Sequence, residues 1–216
     1  AFVQRGVAVE SQYDPAAHVA LAEIAMEAPS SPPHPSGVLV SGDMRLDGLD
    51  ELGQALGVAP GERVARHLAI EAYLRWGLEF PRHLYGDFGF ALWDPARSRL
   101  LLVRDPGGSR SLFFTTQGVR LAYASHPRGL LSLAEVPRAL DERAVVDYLG
   151  ALPTDEASTM FVAVRRLPPA CMLVVTEASA RVTQYFDVTQ TPEQRMGSDA
   201  DYAAALSEEL ARAVAT

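Results

Sequence analysis

The sequence predicts an α+β fold in which antiparallel sheets are covered by helices. Strand-like segments follow one another through short turns, as in hairpins, instead of alternating strictly with helices. One of them, FGFALW at residues 88–93, is apolar on both faces, because successive strand side chains point to opposite sides. A strand of this kind is typical of a sheet that is covered twice. We expect the hairpin of residues 86–104 to lie between layers.

The elements before this hairpin are a strand, a short helix and a longer helix. GVLVSGDMRL predicts the strand, and LDELGQALG predicts the short helix, which ends at Gly57. Residues 62–76 repeat apolar side chains at helical spacing and predict the longer helix, which ends at Gly77. The Pro- and Ser-rich stretch 27–37 predicts a loop.

The elements after the hairpin alternate between strands and short helices. SLFFTT and VRLAYAS predict two further strands, and the remaining elements are helices at 126–132 and 141–149 and strands at 171–176 and 180–186. An alanine-rich segment begins near Ser198. Either Ser198 or Asp199 can cap a helix over 199–214. We expect that helix to belong to another domain.

Composition and charge exclude several classes of protein. Of 216 residues, 48% are hydrophobic and 21% charged, and no apolar run approaches the roughly 20 residues of a spanning helix, so we expect a soluble, cytoplasmic protein without membrane contact. A net charge of −8 argues against nucleic acid as a partner.

Metal and calcium sites are also not expected from the spacing of ligand residues. A single cysteine, Cys171, excludes a disulfide framework and a multi-cysteine zinc site. The acidic stretch GDMRLDGLDE lacks the spacing of a calcium loop. Metal-ligand spacing is equally missing among the histidines, which are His18, His34, His67, His83 and His126.

Six segments in unbroken order resemble the N-terminal glutaminase-type domain of asparagine synthetases and their relatives. They are AYLRWG, LYGDFGFALWD, LLLVRDPGGSRSLFF, LAYASHPRGLL, ALDERAVVDYL and TMFVAVRRLPPACMLVV, and the resemblance covers roughly residues 38–188. It implies a four-layer α/β/β/α sandwich of the Ntn-hydrolase type, with two antiparallel sheets between helices. It also implies that Arg104 and Asp105 are turn residues at the hairpin exit rather than catalytic groups.

This sequence lacks the residues that the family uses for glutamine hydrolysis. The family uses an N-terminal cysteine as nucleophile, whereas this sequence starts with Ala1, and Cys171 is expected to be a small core residue. The family's amide-binding Asn-Gly-Glu aligns with Asp43, Met44 and Arg45. The family's Ser-Asp pair, whose aspartate binds the substrate ammonium, aligns with Val64 and Ala65. We therefore predict no catalytic, cofactor-binding or metal-binding residue in this chain.

The resemblance implies a glutaminase-like domain at 1–190, without glutaminase activity, followed at 191–216 by a linker and the first helix of an ATP-dependent synthetase domain. The whole enzyme would form an amide bond by carboxylate adenylation, most like a lasso-peptide cyclase or a β-lactam synthetase. ATP and Mg²⁺ would bind in the C-terminal synthetase domain, which is the expected partner together with a precursor peptide and its maturation proteins.

Two alternatives stay open at the level of sequence. The first is a glutamine-hydrolysing asparagine synthetase whose N-terminal cysteine has been removed or lies outside this sequence. The second is a stand-alone module that binds a peptide or a protein. Neither the carboxylate nor the amine substrate follows from these residues.

Overall fold

The hairpin of residues 86–104 lies at the centre of a five-stranded antiparallel sheet. The computed structural model describes residues 8–16, 19–25, 34–117, 120–152 and 155–215. Within these ranges the sheet has the order β10-β9-β5-β4-β3. Its strands are β3 (Leu39–Leu46), β4 (Gly86–Asp94), β5 (Arg99–Arg104), β9 (Cys171–Val175) and β10 (Ala180–Gln184).

Two smaller antiparallel sheets complete the β structure of the described residues. A three-stranded sheet has the order β7-β6-β8, and a hairpin pairs β1 with β2. Their strands are β1 (Ala8–Asp14), β2 (Val19–Ala25), β6 (Phe113–Gln117), β7 (Arg120–Ala124) and β8 (Arg165–Arg166). The β1-β2 hairpin was not expected from the sequence.

Among the described residues of the first compact unit, which ends at Phe186, four α-helices and several 3₁₀ helices connect the strands. The helices are α1 (Leu49–Leu56), α2 (Ala65–Trp76), α3 (Pro127–Leu131) and α4 (Glu142–Leu149). Helix α1 ends as predicted at Gly57, whose φ of 76° is readily adopted by glycine. Helix α2 begins later than predicted, because Val64 is extended and 43% exposed.

Three apolar clusters define four layers. One cluster lies between the five-stranded sheet and helices α1 and α2, and it contains Phe88, Phe90, Leu101 and Val103. The second lies on the opposite face of that sheet, where Ala91, Trp93 and Leu102 pack with residues of the three-stranded sheet and with Leu21 of β2. The third joins the outer face of the three-stranded sheet to helix α3. The fold is therefore an α+β sandwich of antiparallel sheets between helices, as the sequence predicted.

The predicted burial of the central hairpin is confirmed. Phe88, Phe90, Leu92, Leu101 and Val103 are all fully buried. The hairpin pairs Leu92 with Leu101 and Phe90 with Val103, so both strands contribute to the same face. Burial of a leucine or phenylalanine side chain contributes about 1.5–3 kcal/mol each. The central strands thus supply much of the stabilisation of the sandwich.

The second compact unit runs from Asp187 to the end of the chain and contains helix α5 (Asp199–Ala215). An apolar stripe on this helix is exposed: Tyr202, Leu206, Leu210 and Val214 are 44–87% exposed. The prediction that residues 191–216 begin a synthetase domain stays a prediction. In the described part of the chain, no helix has the length and apolar character that crossing a membrane requires.

Truncation of the central strand should test this core. Leu101→Ala removes a fully buried side chain and should lower the free energy of unfolding by about 2–5 kcal/mol. The matched control is Leu210→Ala on α5, where the side chain is 57% exposed and the change should be within about 0.5 kcal/mol. Urea unfolding followed by circular dichroism measures both. Equal effects of the two substitutions would contradict the assigned core.

Candidate functional site

The guanidinium of Arg104 binds three backbone carbonyls where strand β5 ends. Its Nε donates to the carbonyl oxygen of Arg110 at 2.7 Å, Nη1 to that of Leu167 at 2.8 Å and Nη2 to that of Gly108 at 2.7 Å. The residue is only 6% exposed. Burial lowers the pKa of Arg104, whereas the neighbouring Asp105 carboxylate acts in the opposite direction. Because all three partners are backbone carbonyls, Arg104 has a structural role.

Asp105 holds the same loop from the other side. Its carboxylate accepts from the backbone N–H of Ser109 at 2.9 Å and of Arg110 at 3.1 Å. Its own carbonyl accepts from the N–H of Ala170, the last residue of the Leu-Pro-Pro-Ala turn. Gly108 has a φ of 67°, and a Cβ there would lie 2.9 Å from Pro169. These contacts confirm that the pair forms a turn, and its lack of a catalytic role stays a prediction.

The residues aligned with the family's amide-binding signature lie on β3 and face two different environments. Met44 points towards the helices and packs against the first apolar cluster. Asp43 and Arg45 are exposed on the other face. Asp43 pairs with Arg110 across 3.2 Å, so the loop that Arg104 holds also supplies the partner of Asp43.

Arg45 is paired with two carboxylates. Its Nη2 lies 3.1 Å from Oδ2 of Asp87 on β4, and its Nη1 contacts Asp47. Hydrogen bonds from Arg45 and then from Ser109 lower the pKa of Asp87. At this end of the sheet both charged residues of the aligned segment are already neutralised by neighbours in the chain.

The start of helix α2 lacks the carboxylate that the family uses to bind the ammonium group. Val64 occupies the N-cap position, makes no side-chain cap hydrogen bond, and is followed by Ala65 as the first helical residue. The alignment thus places both at the expected helix start, but neither side chain can accept a hydrogen bond. The position carries no group for a cation.

The two remaining nucleophile positions give no catalytic group either. Cys171 is buried at the start of β9 in the second apolar cluster, and burial raises the pKa of its thiol. That environment is typical of an inert core cysteine, as predicted. Ala1 lies outside the described residues, as do residues 27–33 of the predicted Pro- and Ser-rich loop.

Two of the five histidines come together in a way the sequence analysis did not anticipate. His34, His67 and the carboxylate of Glu71 have ligand atoms within 4.8 Å of one another. His67 and Glu71 are one helical turn apart on α2, a signal that is visible in the sequence. His34 is far away in sequence, so the complete set was missed. His83 stacks on Trp76, His126 caps α3, and His18 lies outside the described residues.

A cleft of about 420 Å³ opens beside helix α4. Its lining contains three aspartates and two arginines, which are Asp141, Asp147, Asp155, Arg143 and Arg166. Asp141 caps α4 through the N–H of Ala144, and Asp155 accepts from the N–H of Ala157 and the hydroxyl of Ser158. The two aspartates therefore already have structural roles within this cleft.

Comparison with known proteins gives the family. The sequence model of the glutamine amidotransferase domain matches residues 67–186, more than half of the chain. The chain belongs to this family. The two sheets and the glutaminase-type signatures described above agree with this class of domain.

Similar curated proteins are asparagine synthetases and amidases. A Mycobacterium tuberculosis protein named "Putative asparagine synthetase (glutamine-hydrolyzing)" is 34% identical over 122 residues, which are 54% of this chain and 19% of that protein. Asparagine synthetase (glutamine-hydrolyzing) 3 of Bacillus subtilis is 25% identical over 120 residues, 55% of this chain and 20% of the relative. The amidase chyE of Penicillium rubens is 32% identical over 107 residues, 50% and 15% respectively. The match spans about a fifth of these relatives or less.

Among solved structures, the glutamine phosphoribosylpyrophosphate amidotransferase of B. subtilis, complexed with ADP and GMP, superposes with a TM-score of 0.47. The two chains are 16% identical, and the superposition covers 69% of this chain and 29% of that one.

Replacement of Arg104 should test its structural role. Arg104→Lys keeps the charge, but one ammonium group has no rigid fork to reach three separate carbonyls, so the free energy of unfolding should fall by about 2–4 kcal/mol. Arg181→Lys on the exposed strand β10 is the matched control and should be near neutral. Chemical unfolding measures both, and an Arg104→Lys protein as stable as the wild type would contradict the assignment.

Proposed function

We propose that this chain is the glutaminase-like domain, without glutaminase activity, of an asparagine-synthetase-like enzyme that forms an amide bond with ATP. Its family membership and its similarity to asparagine synthetases support the general class. The loss of glutaminase activity, the bond formed and the substrates are part of the proposal. We retain the prediction of a cytoplasmic location.

The observation that carries the proposal is a set of ion pairs within the chain, at the segment of β3 that aligns with the family's amide-binding signature. Asp43 is paired with Arg110, and Arg45 is paired with Asp47 and Asp87. A glutamine molecule would have to displace these partners before it could be bound. It would also find no carboxylate at Ala65 for its ammonium group, and a charged group without a partner is costly to desolvate. The arrangement favours a domain that has kept the glutaminase fold and no longer binds glutamine.

The proposed parent enzyme needs no ammonia, because its amine is supplied by the substrate. A carboxylate oxygen attacks the α-phosphorus of ATP, pyrophosphate leaves, and an acyl-adenylate forms. The amine then attacks the acyl carbon, AMP leaves, and an amide results. The net change in the peptide or small molecule is the loss of one water. We place ATP and Mg²⁺ in a C-terminal synthetase domain, in which the exposed stripe of α5 would find its partner, most like a lasso-peptide cyclase or a β-lactam synthetase.

A binding module for a peptide or a protein is the second candidate function. It is favoured by the exposed apolar side chains on and around α4, where Val146, Tyr148, Leu149 and Leu152 are 54–78% exposed next to the cleft. Exposed apolar patches of this kind mark interaction surfaces. The same surface would equally suit docking of a synthetase domain or a precursor peptide in the first proposal.

Glutamine hydrolysis separates the proposal from an asparagine synthetase that lacks only its nucleophile. We expect no ammonia release from glutamine by this chain, and none by Ala1→Cys after removal of the initiator methionine, because the other substrate contacts are still missing. Ala1→Ser is the matched control without a thiol. A coupled glutamate dehydrogenase assay measures ammonia, with a glutamine-dependent asparagine synthetase as the positive control. Glutaminase activity in Ala1→Cys would overturn the proposed inactivity.

Mass spectrometry of the products tests the amide-forming activity of the whole enzyme. The protein encoded by the complete gene is incubated with ATP, Mg²⁺ and candidate precursor peptides, and we expect one peptide to lose one water while AMP and pyrophosphate appear. Omission of ATP is the control. Peptide binding without ATP consumption or mass change would favour the binding module instead.

A further inference from the structure

We propose that His34, His67 and Glu71 form a binding site for a divalent transition metal ion of the zinc type. The site does not depend on the proposed function. His67 and Glu71 lie on helix α2, and His34 lies in the segment that leads into β3. Nε2 of His34 is 2.9 Å and Nε2 of His67 is 3.8 Å from the same carboxylate oxygen of Glu71. All three ligand atoms lie within 4.8 Å of one another.

The distances suit a tetrahedral ion after small side-chain rotations. Zinc binds imidazole nitrogen and carboxylate oxygen at about 2.0–2.2 Å, so two ligand atoms on a tetrahedral ion are about 3.4 Å apart. The two distances to the Glu71 oxygen, 2.9 and 3.8 Å, lie on either side of that value. The three side chains supply three ligands, and water can complete the coordination.

The chemistry of the three ligands selects the class of metal. Two imidazoles and one carboxylate suit Zn²⁺ and its neighbours Co²⁺, Ni²⁺ and Cu²⁺. Mg²⁺ and Ca²⁺ prefer sites made wholly of oxygen ligands. The site should therefore discriminate strongly between Zn²⁺ and Mg²⁺.

Ser36 positions the ring of His34. Its hydroxyl lies 2.7 Å from Nδ1 of His34, and the His34 side chain is only 6% exposed. With metal on Nε2, the Nδ1–H would donate to this hydroxyl, an arrangement that commonly orients metal-binding histidines. The backbone N–H of Ser36 also approaches Nδ1, at 3.2 Å. That contact suits the metal-free tautomer, in which Nε2–H donates to Glu71, so binding would exchange one tautomer for the other.

A simple hydrogen bond between His34 and Glu71 would explain only part of the cluster. It does not account for His67, whose ring meets that of His34 edge to face with centroids 4.8 Å apart and whose Nε2 lies 3.8 Å from the same carboxylate oxygen. The two interpretations differ in what His67 does. If the cluster is only a structural link, loss of His67 should change little, whereas a metal site loses one of its three ligands.

A metal ion at this position would link the segment before β3 to helix α2. Ala69 and Ala72 of α2 are fully buried in the cluster against the five-stranded sheet. His67 and Glu71 are partly exposed, with 27% and 33% of their side-chain surfaces accessible. An ion can therefore reach them from solvent. Because it would bind the folded chain alone, it should raise the temperature of unfolding.

The test uses the 216-residue chain without a histidine tag, freed of metal with EDTA and then dialysed. We expect one Zn²⁺ per chain by isothermal titration calorimetry and, with Co²⁺, the visible absorption of tetrahedral cobalt. Zn²⁺ at about 100 times its dissociation constant should raise the unfolding temperature by about 5 °C or more. Mg²⁺ should have no effect. The absence of Zn²⁺ and Co²⁺ binding would overturn the proposal.

Substitutions then locate the bound ion. His67→Gln and Glu71→Gln should each lower the affinity for Zn²⁺ at least about tenfold and abolish the cobalt spectrum, and Ser36→Ala should weaken binding about tenfold. His67→Gln should unfold at the wild-type temperature without metal, because the hydrogen bond between His34 and Glu71 remains. The matched control is His126→Asn, which keeps an acceptor at the cap of α3 and should bind Zn²⁺ like the wild type. Binding that survives both His67→Gln and Glu71→Gln lies elsewhere on the chain and would overturn the assignment.

Discussion

The buried guanidinium of Arg104 is the interaction on which the rest of the sandwich depends. It binds the backbone at Gly108, Arg110 and Leu167, and so it fixes the exit of β5 against the segment that leads to β9. The backbone carbonyl of Arg104 in turn accepts from the buried hydroxyl of Tyr185, at 2.6 Å. Burial of a cation is favourable only when its hydrogen bonds are satisfied. Here all three donor nitrogens have partners. The cation therefore joins the loop after β5 to the segment before β9 by hydrogen bonds as well as by apolar packing.

The same loop connects the structural core to the segment of β3 that aligns with the family's amide-binding signature. By holding the carbonyl of Arg110, Arg104 places the Arg110 backbone over Gly89, where a Cβ would lie 3.1 Å from the Cβ of Arg110. From there the Arg110 side chain reaches Asp43. A turn that serves stability thus also delivers the cation that pairs with Asp43 on β3. The proposed loss of substrate binding is therefore compatible with maintenance of the fold.

Much of the fold was predictable because local patterns and long-range packing agree. The hairpin of residues 86–104 is apolar on both faces and is covered on both, and helix α1 ends at the predicted glycine. Helix α2 was predicted to begin at residue 62 but begins at Ala65, because periodicity alone does not locate a helix start that has no capping side chain. The cluster around Glu71 was missed since His34 is 37 residues away in sequence, and its approach depends on tertiary structure. The pairing of Asp43 with Arg110 was missed for the same reason.

The long span between Arg104 and Tyr185 has a consequence for biosynthesis. When the β4-β5 hairpin leaves the ribosome, helix α2 has already been made and can cover one face, but the outer edge of β5 must wait for β9, which pairs Leu101 with Val174. Tyr185 follows Arg104 by 81 residues, a delay of about 4–16 s at about 5–20 residues per second. Until β9 has been made, the nascent chain carries an apolar strand with an open edge, which is where unwanted pairing with another chain begins. Chaperone demand in the cell should therefore be concentrated on this interval of synthesis.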